Sequence, residues 1–131
     1  MRPSGDSAVL VDFDNRIDPE VNRSVRSLAL AIESDPLPGI NEVLPAYRSL
    51  MVTYDPLKIE YQSILEKIKI WTEKAARMEL PPGRLFRLPT VYGGVHGPDL
   101  KRVADAVGLS PEGVVRFLSE TRLLVYFIGF I

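Results

Sequence analysis

From Ala8 to Phe13 the side chains alternate, with Val9, Val11 and Phe13 on one face and Ala8, Leu10 and Asp12 on the other. A period of two predicts a strand. The spacing then lengthens, and Val21, Val25, Leu28 and Ile32 recur along one helical stripe. Asp18-Pro19-Glu20 opens that helix with a capping carboxylate, a proline suited to the first helical position and an acid near the positive end of the dipole. Asp35-Pro36-Leu37-Pro38-Gly39 ends it, because two prolines and a glycine cannot continue helical hydrogen bonding. Two strands are predicted next, Ile40 to Tyr47 and Ser49 to Tyr54, the second alternating Leu50, Val52 and Tyr54 against Met51 and Thr53. Pro45 belongs at an edge or bend, since it cannot donate to a ladder. From Lys58 to Met78, the positions Tyr61, Ile64, Leu65, Ile68, Trp71 or Thr72, and Ala75 predict a long amphipathic helix with Trp71 on its buried or half-buried side. Glu73 and Arg77 are placed one turn apart on its wet side.

Pro81-Pro82-Gly83 is a stiff break and marks a boundary, dividing the chain into 1–83 and 84–131. Up to it the order β-α-β-β-α predicts an α+β sandwich of ferredoxin-like type. Arg84 to Leu88 is the local candidate for its fourth strand, or for the opening strand of the next domain. Beyond the break the pattern predicts a strand ending at Thr90-Val91-Tyr92 and a glycine-rich loop from Gly93 to Asp99. A short helix with Leu100, Val103, Ala104 and Val107 inward then ends at Gly108. Ser110-Pro111-Glu112 caps another, expected to bury Val114, Phe117 and Leu118. The continuous apolar run from Leu123 has the character of a strand buried on both faces.

A length of 131 residues with 46% apolar content supports one ordinary core, or one small domain plus part of another. Sixteen basic against seventeen acidic side chains, a net charge of -1, provide no field for gathering nucleic acid or acidic lipid. The absence of cysteine excludes disulfides, thiolate metal sites and a cysteine nucleophile. Met1-Arg2-Pro3-Ser4 opens without a signal-type apolar run, and the run from Leu123 to Ile131 is far below the roughly 20 residues of a membrane-spanning helix. A cytoplasmic protein that engages neither membrane nor nucleic acid is expected.

His96 is the only histidine, and neither a serine triad nor a metal site has supporting spacing around it, so it reads as a loop residue facing solvent. The Gly93–Asp99 loop lacks the lysine and Ser/Thr of a phosphate-binding loop, and its glycines read as turn formers. Asp6, Asp12, Asp14 and Asp18 do not follow the calcium-loop pattern and read as loop and cap acids. The helices flanking Gly108-Leu109-Ser110 match a helix-turn-helix hydrophobic pattern. The second, however, offers Arg116 against Glu112 and Glu120 and no asparagine or glutamine to read an adenine edge, so a packing hairpin is expected.

Several short motifs occur in order along nearly the whole chain: Gly5-Asp6-Ser7-Ala8, Pro38-Gly39-Ile40, Val43 through Leu50 with Pro45, Tyr47 and Arg48, and Tyr54-Asp55-Pro56. They continue with Tyr92-Gly93-Gly94, Gly97-Pro98-Asp99-Leu100, Val103-Ala104, Gly108-Leu109-Ser110 and Gly129-Phe130. In these the chain resembles the family that comprises the B-type subunit of bacterial 5-oxoprolinase, allophanate hydrolase subunit 1 and the Kip-type inhibitor of the sporulation histidine kinase. The resemblance implies an amino-terminal α+β domain joined to a cyclophilin-like β-barrel domain starting near Arg84 and incomplete at Ile131. It also implies an accessory role, not catalytic alone, in an ATP-dependent amide hydrolase that opens 5-oxoproline, with a partner of the 5-oxoprolinase C-type or allophanate hydrolase subunit 2 kind. The alternative it implies is a regulator that binds a histidine kinase. Neither metal nor cofactor is assigned to the chain, and ATP enters at the level of the complex. The motif positions singled out are Gly5, Asp6, Pro45, Tyr47, Arg48, Tyr92, Gly97, Pro98, Asp99, Gly129 and Phe130. The sequence departs from the family where Leu118 and Leu123 stand in place of a usual histidine and tyrosine. The uncovered run from Leu123 is expected to need either a second copy or a partner subunit across it.

Overall fold

In a computed structural model, which describes residues 1–129, a two-residue strand β1 (Arg2–Pro3) turns into β2 (Ala8–Asp12). Gly5 makes the turn with a φ of 69°, a left-handed conformation that side chains with a Cβ rarely adopt. Helix α1 (Pro19–Glu33) starts as its cap predicts, with the Asp18 carboxylate accepting the Glu20 and Val21 amides. The chain then forms β3 (Ile40–Pro45), β4 (Ser49–Tyr54) and α2 (Tyr61–Ala75). The strands lie in the order β1-β2-β4-β3, every neighbouring pair antiparallel. Pro45 ends an edge strand, where its missing N–H costs no ladder bond.

Alternation in the strands and helical spacing in α1 and α2 converge on one core. Val9 and Val11 from β2 and Leu50, Val52 and Tyr54 from β4 meet Val25, Leu28 and Ile32 of α1 and Ile64, Ile68 and Trp71 of α2. Trp71 is fully buried, as its place on the apolar stripe predicts. Helix α2 is shorter than its sequence pattern. It starts at Tyr61 because Asp55 uses the preceding residues in a turn, its carboxylate accepting the Leu57 amide and its carbonyl accepting Lys58 and Ile59. At the other end Arg77 falls past the helix, its amide bonded to the Lys74 carbonyl, which removes the register that pairing with Glu73 requires.

The strands expected at Arg84–Leu88, Thr90–Tyr92 and from Leu123 are not formed among the described residues. A strand needs a ladder partner as well as β-prone side chains, and the sheet edge beside β2 is taken by Arg2–Pro3. The element order is therefore β-β-α-β-β-α before Pro81, the extra strand lying at the amino terminus.

Contacts divide the chain into two units, Met1–Pro82 together with the segment from Val125, and Gly83–Leu124. In the second, a 3-10 turn (Gly94–His96) precedes α3 (Leu100–Val107) and α4 (Pro111–Glu120). Gly108 caps α3 with a left-handed φ of 69°, and the Ser110 hydroxyl accepts the Gly113 amide at the start of α4. Among the described residues of this unit Ala104 and Val114 alone are buried, so Val103, Val107, Phe117 and Leu118 do not point into a core as their spacing predicts. Two short helices bury one narrow stripe against each other and leave their flanking apolar positions to solvent.

Candidate functional site

The motif around Pro45 becomes the β3–β4 hairpin. Its turn is closed by the Ala46 amide donating to the Ser49 carbonyl at 2.8 Å, and the Phe13 amide donates to the Arg48 carbonyl at 3.0 Å. These bonds place the exposed Tyr47 ring and the half-buried Arg48 beside the end of β2. The guanidinium of Arg48 lies 6.0 Å from the Tyr47 ring centroid and 3.9 Å from the Asp12 carboxylate, which also holds Arg2 at 3.0 Å. Ion pairs this exposed contribute about 0–1 kcal/mol and orient side chains more than they stabilise the fold.

Beneath the hairpin, α1 buries Asn22, which with Ser27 makes up the buried polar side chains among the described residues. Its carboxamide nitrogen donates towards the carbonyls of Ala46 and Tyr47, each at 3.4 Å, and of Tyr126 at 3.1 Å. The rings of Tyr47 and Phe127 lie 6.5 Å apart, tilted by 35°. The hairpin positions of the motif are thus assembled with Asp12, Asn22 and the segment from Val125. The hairpin is legible in the sequence, whereas Asn22 looks like an ordinary helical position. A polar residue beside Val21, at the foot of the apolar stripe, is its only local signal.

A second polar cluster joins the end of α1 to α2. Asp35 accepts from Lys67 Nζ at 2.9 Å and Trp71 Nε1 at 3.1 Å, while Lys67 stands 5.3 Å from the indole centroid. The hydrogen bond from Lys67, then that from Trp71, lowers the Asp35 pKa below its ordinary value, with desolvation opposing. This group locks two helices and has the chemistry of a structural clamp. A shallow depression of about 210 Å³ on the first unit is floored by Ala29, Leu30, Pro45 and Pro81 and flanked by the exposed charges of Arg26 and Glu33.

In the second unit Gly93 and Gly94 adopt φ of 79° and 56°, and a Cβ on Gly97 would stand 2.6 Å from the Gly93 amide nitrogen. The glycines are therefore turn formers. Asp99 pairs with Arg102 at 3.1 Å, Pro98 is exposed, Tyr92 is half-buried, and His96 faces solvent. Gly5 and Asp6 are exposed in the β1–β2 turn and Gly129 is exposed at the end of the described chain, whereas Phe130 lies outside the described residues. Leu118 and Leu123 are 43% and 79% exposed. Among the described residues no group of three or more His, Asp or Glu side chains is placed to hold a metal ion, and no helix is long and apolar enough to cross a membrane.

Comparison with known proteins gives this arrangement a family. The model of the carboxyltransferase domain, subdomain C and D, matches residues 1–131. The B-type subunit of 5-oxoprolinase from Bacillus subtilis is 33% identical, over 96% of this chain and 57% of the relative. A crystal structure of the conserved protein PH0987 from Pyrococcus horikoshii is 38% identical and superposes with a TM-score of 0.55 over 99% of this chain and 59% of that one. The TTHA0988 crystal structure is 30% identical, with a TM-score of 0.74 over 93% of this chain and 22% of that one. The chain spans 56–58% of the length of the curated relatives it matches. On the match of its whole length, this chain belongs to the family of carboxyltransferase domains, subdomains C and D, to which its likeness to the B-type subunits of 5-oxoprolinase also joins it.

Proposed function

We propose that this chain acts as the B-type subunit of an ATP-dependent, 5-oxoprolinase-like amide hydrolase, working through contact with partner subunits and opening no lactam by itself. The observation that carries this is the 33% identity to a 5-oxoprolinase subunit of that type along 96% of the chain. The side chains support it: the motif residues Pro45, Tyr47 and Arg48 serve a hairpin and its contacts, and the glycines from Gly93 to Gly97 serve a turn. A binding role also accounts for Leu85, Phe86, Leu88 and Leu123, all 67% exposed or more, since apolar side chains left this open to water are suited to an interaction surface.

The same reading makes the first unit a ferredoxin-like sandwich. Its support is the antiparallel order β1-β2-β4-β3, in which β1 holds the edge that a fourth strand occupies in that topology. The second domain then begins near Arg84 as the opening part of a cyclophilin-like domain. ATP belongs to the assembled enzyme, and the partner is a 5-oxoprolinase C-type subunit or its counterpart, allophanate hydrolase subunit 2. The test is glutamate formation from 5-oxoproline and ATP, measured for the chain alone and with the other subunits of a related 5-oxoprolinase. The isolated chain is expected to produce none, and turnover by it alone refutes the proposal.

A further inference from the structure

We infer that Asn22 and the Pro45–Ser49 hairpin form a seat that captures the chain's own segment Val125–Ile128 through its backbone. Asn22 stands inside a helix, where asparagine is a poor former, and is 3% exposed, where an amide is costly unless bonded. Its presence there needs a compensating role. A carboxamide nitrogen carries two hydrogens. The shortest of its contacts, 3.1 Å, goes to the Tyr126 carbonyl, 104 residues away, and the hairpin carbonyls of Ala46 and Tyr47 at 3.4 Å share the other hydrogen. One side chain therefore bridges α1, the hairpin turn and the returning segment.

Apolar burial does little for the two ends of this segment. Val125 is 69% exposed and Ile128 93%, so neither gains much from leaving water. What remains, beside the half-buried Tyr126 side chain, is the Asn22 bond and the contact of Phe127 with Tyr47. The first reads a carbonyl, which every residue has, and the second selects an aromatic at the next position. Tyr47 is itself steadied by Arg48, which Asp12 holds. Pro45, Tyr47 and Arg48 thus become positioning residues of a docking seat for an extended segment with an aromatic side chain.

The test uses the full chain with Asn22→Leu, Tyr47→Ala and, as a control, Ser24→Ala, whose hydroxyl bonds only within α1. Backbone 15N relaxation reports order from Val125 to Ile128, chymotryptic cleavage after Tyr126 and Phe127 reports release, and Trp71 emission reports the first unit's core. In the unaltered chain the segment is expected to be as ordered as β4. Asn22→Leu should mobilise it and speed cleavage about tenfold, as loss of a hydrogen bond with its carbonyls left unpaired implies. Tyr47→Ala should do so more weakly and Ser24→Ala not at all. If Asn22→Leu disrupts the core, Tyr47→Ala decides, because Tyr47 is exposed and its loss spares the fold. A segment already mobile in the unaltered chain, order unchanged in the variants, or order appearing only as concentration rises, which means a second copy occupies the seat, overturns the inference.

Discussion

Ile68 and Ile70 lie two residues apart on α2, one with no exposure and the other 56% exposed. Truncating each to alanine removes the same three carbons from opposite sides of the helix. At Ile68 the lost transfer free energy is about 2 kcal/mol. A void of about 80 Å³ that the core does not refill adds up to about 2 kcal/mol more. Partial collapse brings the total to about 3–4 kcal/mol, within the range for buried isoleucine. At Ile70 little burial is lost, and the better helix propensity of alanine offsets it, leaving a change of about 0.5 kcal/mol or less. Urea unfolding followed by Trp71, the only tryptophan, reads both. With an m-value of about 1.5 kcal/mol/M, the Ile68→Ala midpoint should fall by about 2 M and the Ile70→Ala midpoint by about 0.3 M at most. Ile68→Val, costing about 1 kcal/mol, keeps the comparison measurable if the larger truncation does not fold. Equal shifts at the two sites refute the burial of this face of α2 in the common core.

Trp71 emission should lie well to the blue of hydrated indole in the folded chain, since the ring is fully buried. The Asp35 pKa is lowered from 3.8 in the folded state, so its contribution to stability is present above that value and lost as pH falls through the lower folded pKa. Asp35→Asn should flatten that part of the acid-unfolding curve, and an unchanged curve contradicts the clamp. Gly97→Ala forces a Cβ against the Gly93 amide nitrogen, so amide resonances from Gly93 to Leu100 should move while Trp71 emission stays fixed; superimposable spectra contradict the turn geometry. Duplex DNA should show no tight, steeply salt-dependent binding at physiological ionic strength, given the net charge of -1.

The elements legible in the sequence are those whose signals are local. Asp18 caps α1 in the structure as its sequence context predicts, and Leu50, Val52 and Tyr54 turn inward together. β1 is hidden because two residues, one a proline, carry no periodicity; only the partner β2 makes Arg2–Pro3 a strand. The opposite error arises at Arg84–Leu88 and from Leu123, where β-prone side chains have no ladder to join. Spacing likewise places Phe117 and Leu118 inward, although a two-helix contact leaves them 62% and 43% exposed. The hairpin of the candidate site is visible as a motif. Its partners are not, because Asn22 reaches Tyr126 across 104 residues and no local pattern encodes that distance.

The subunit role is tested most directly by weighing the chain in solution, by light scattering during size-exclusion chromatography, alone and mixed with the other subunits of a related 5-oxoprolinase. A stable peak at the summed mass of this chain and a partner subunit, which a Leu88→Ser or a Leu123→Ser variant weakens, is the predicted result. Separate elution of every component at concentrations well above the micromolar range contradicts it.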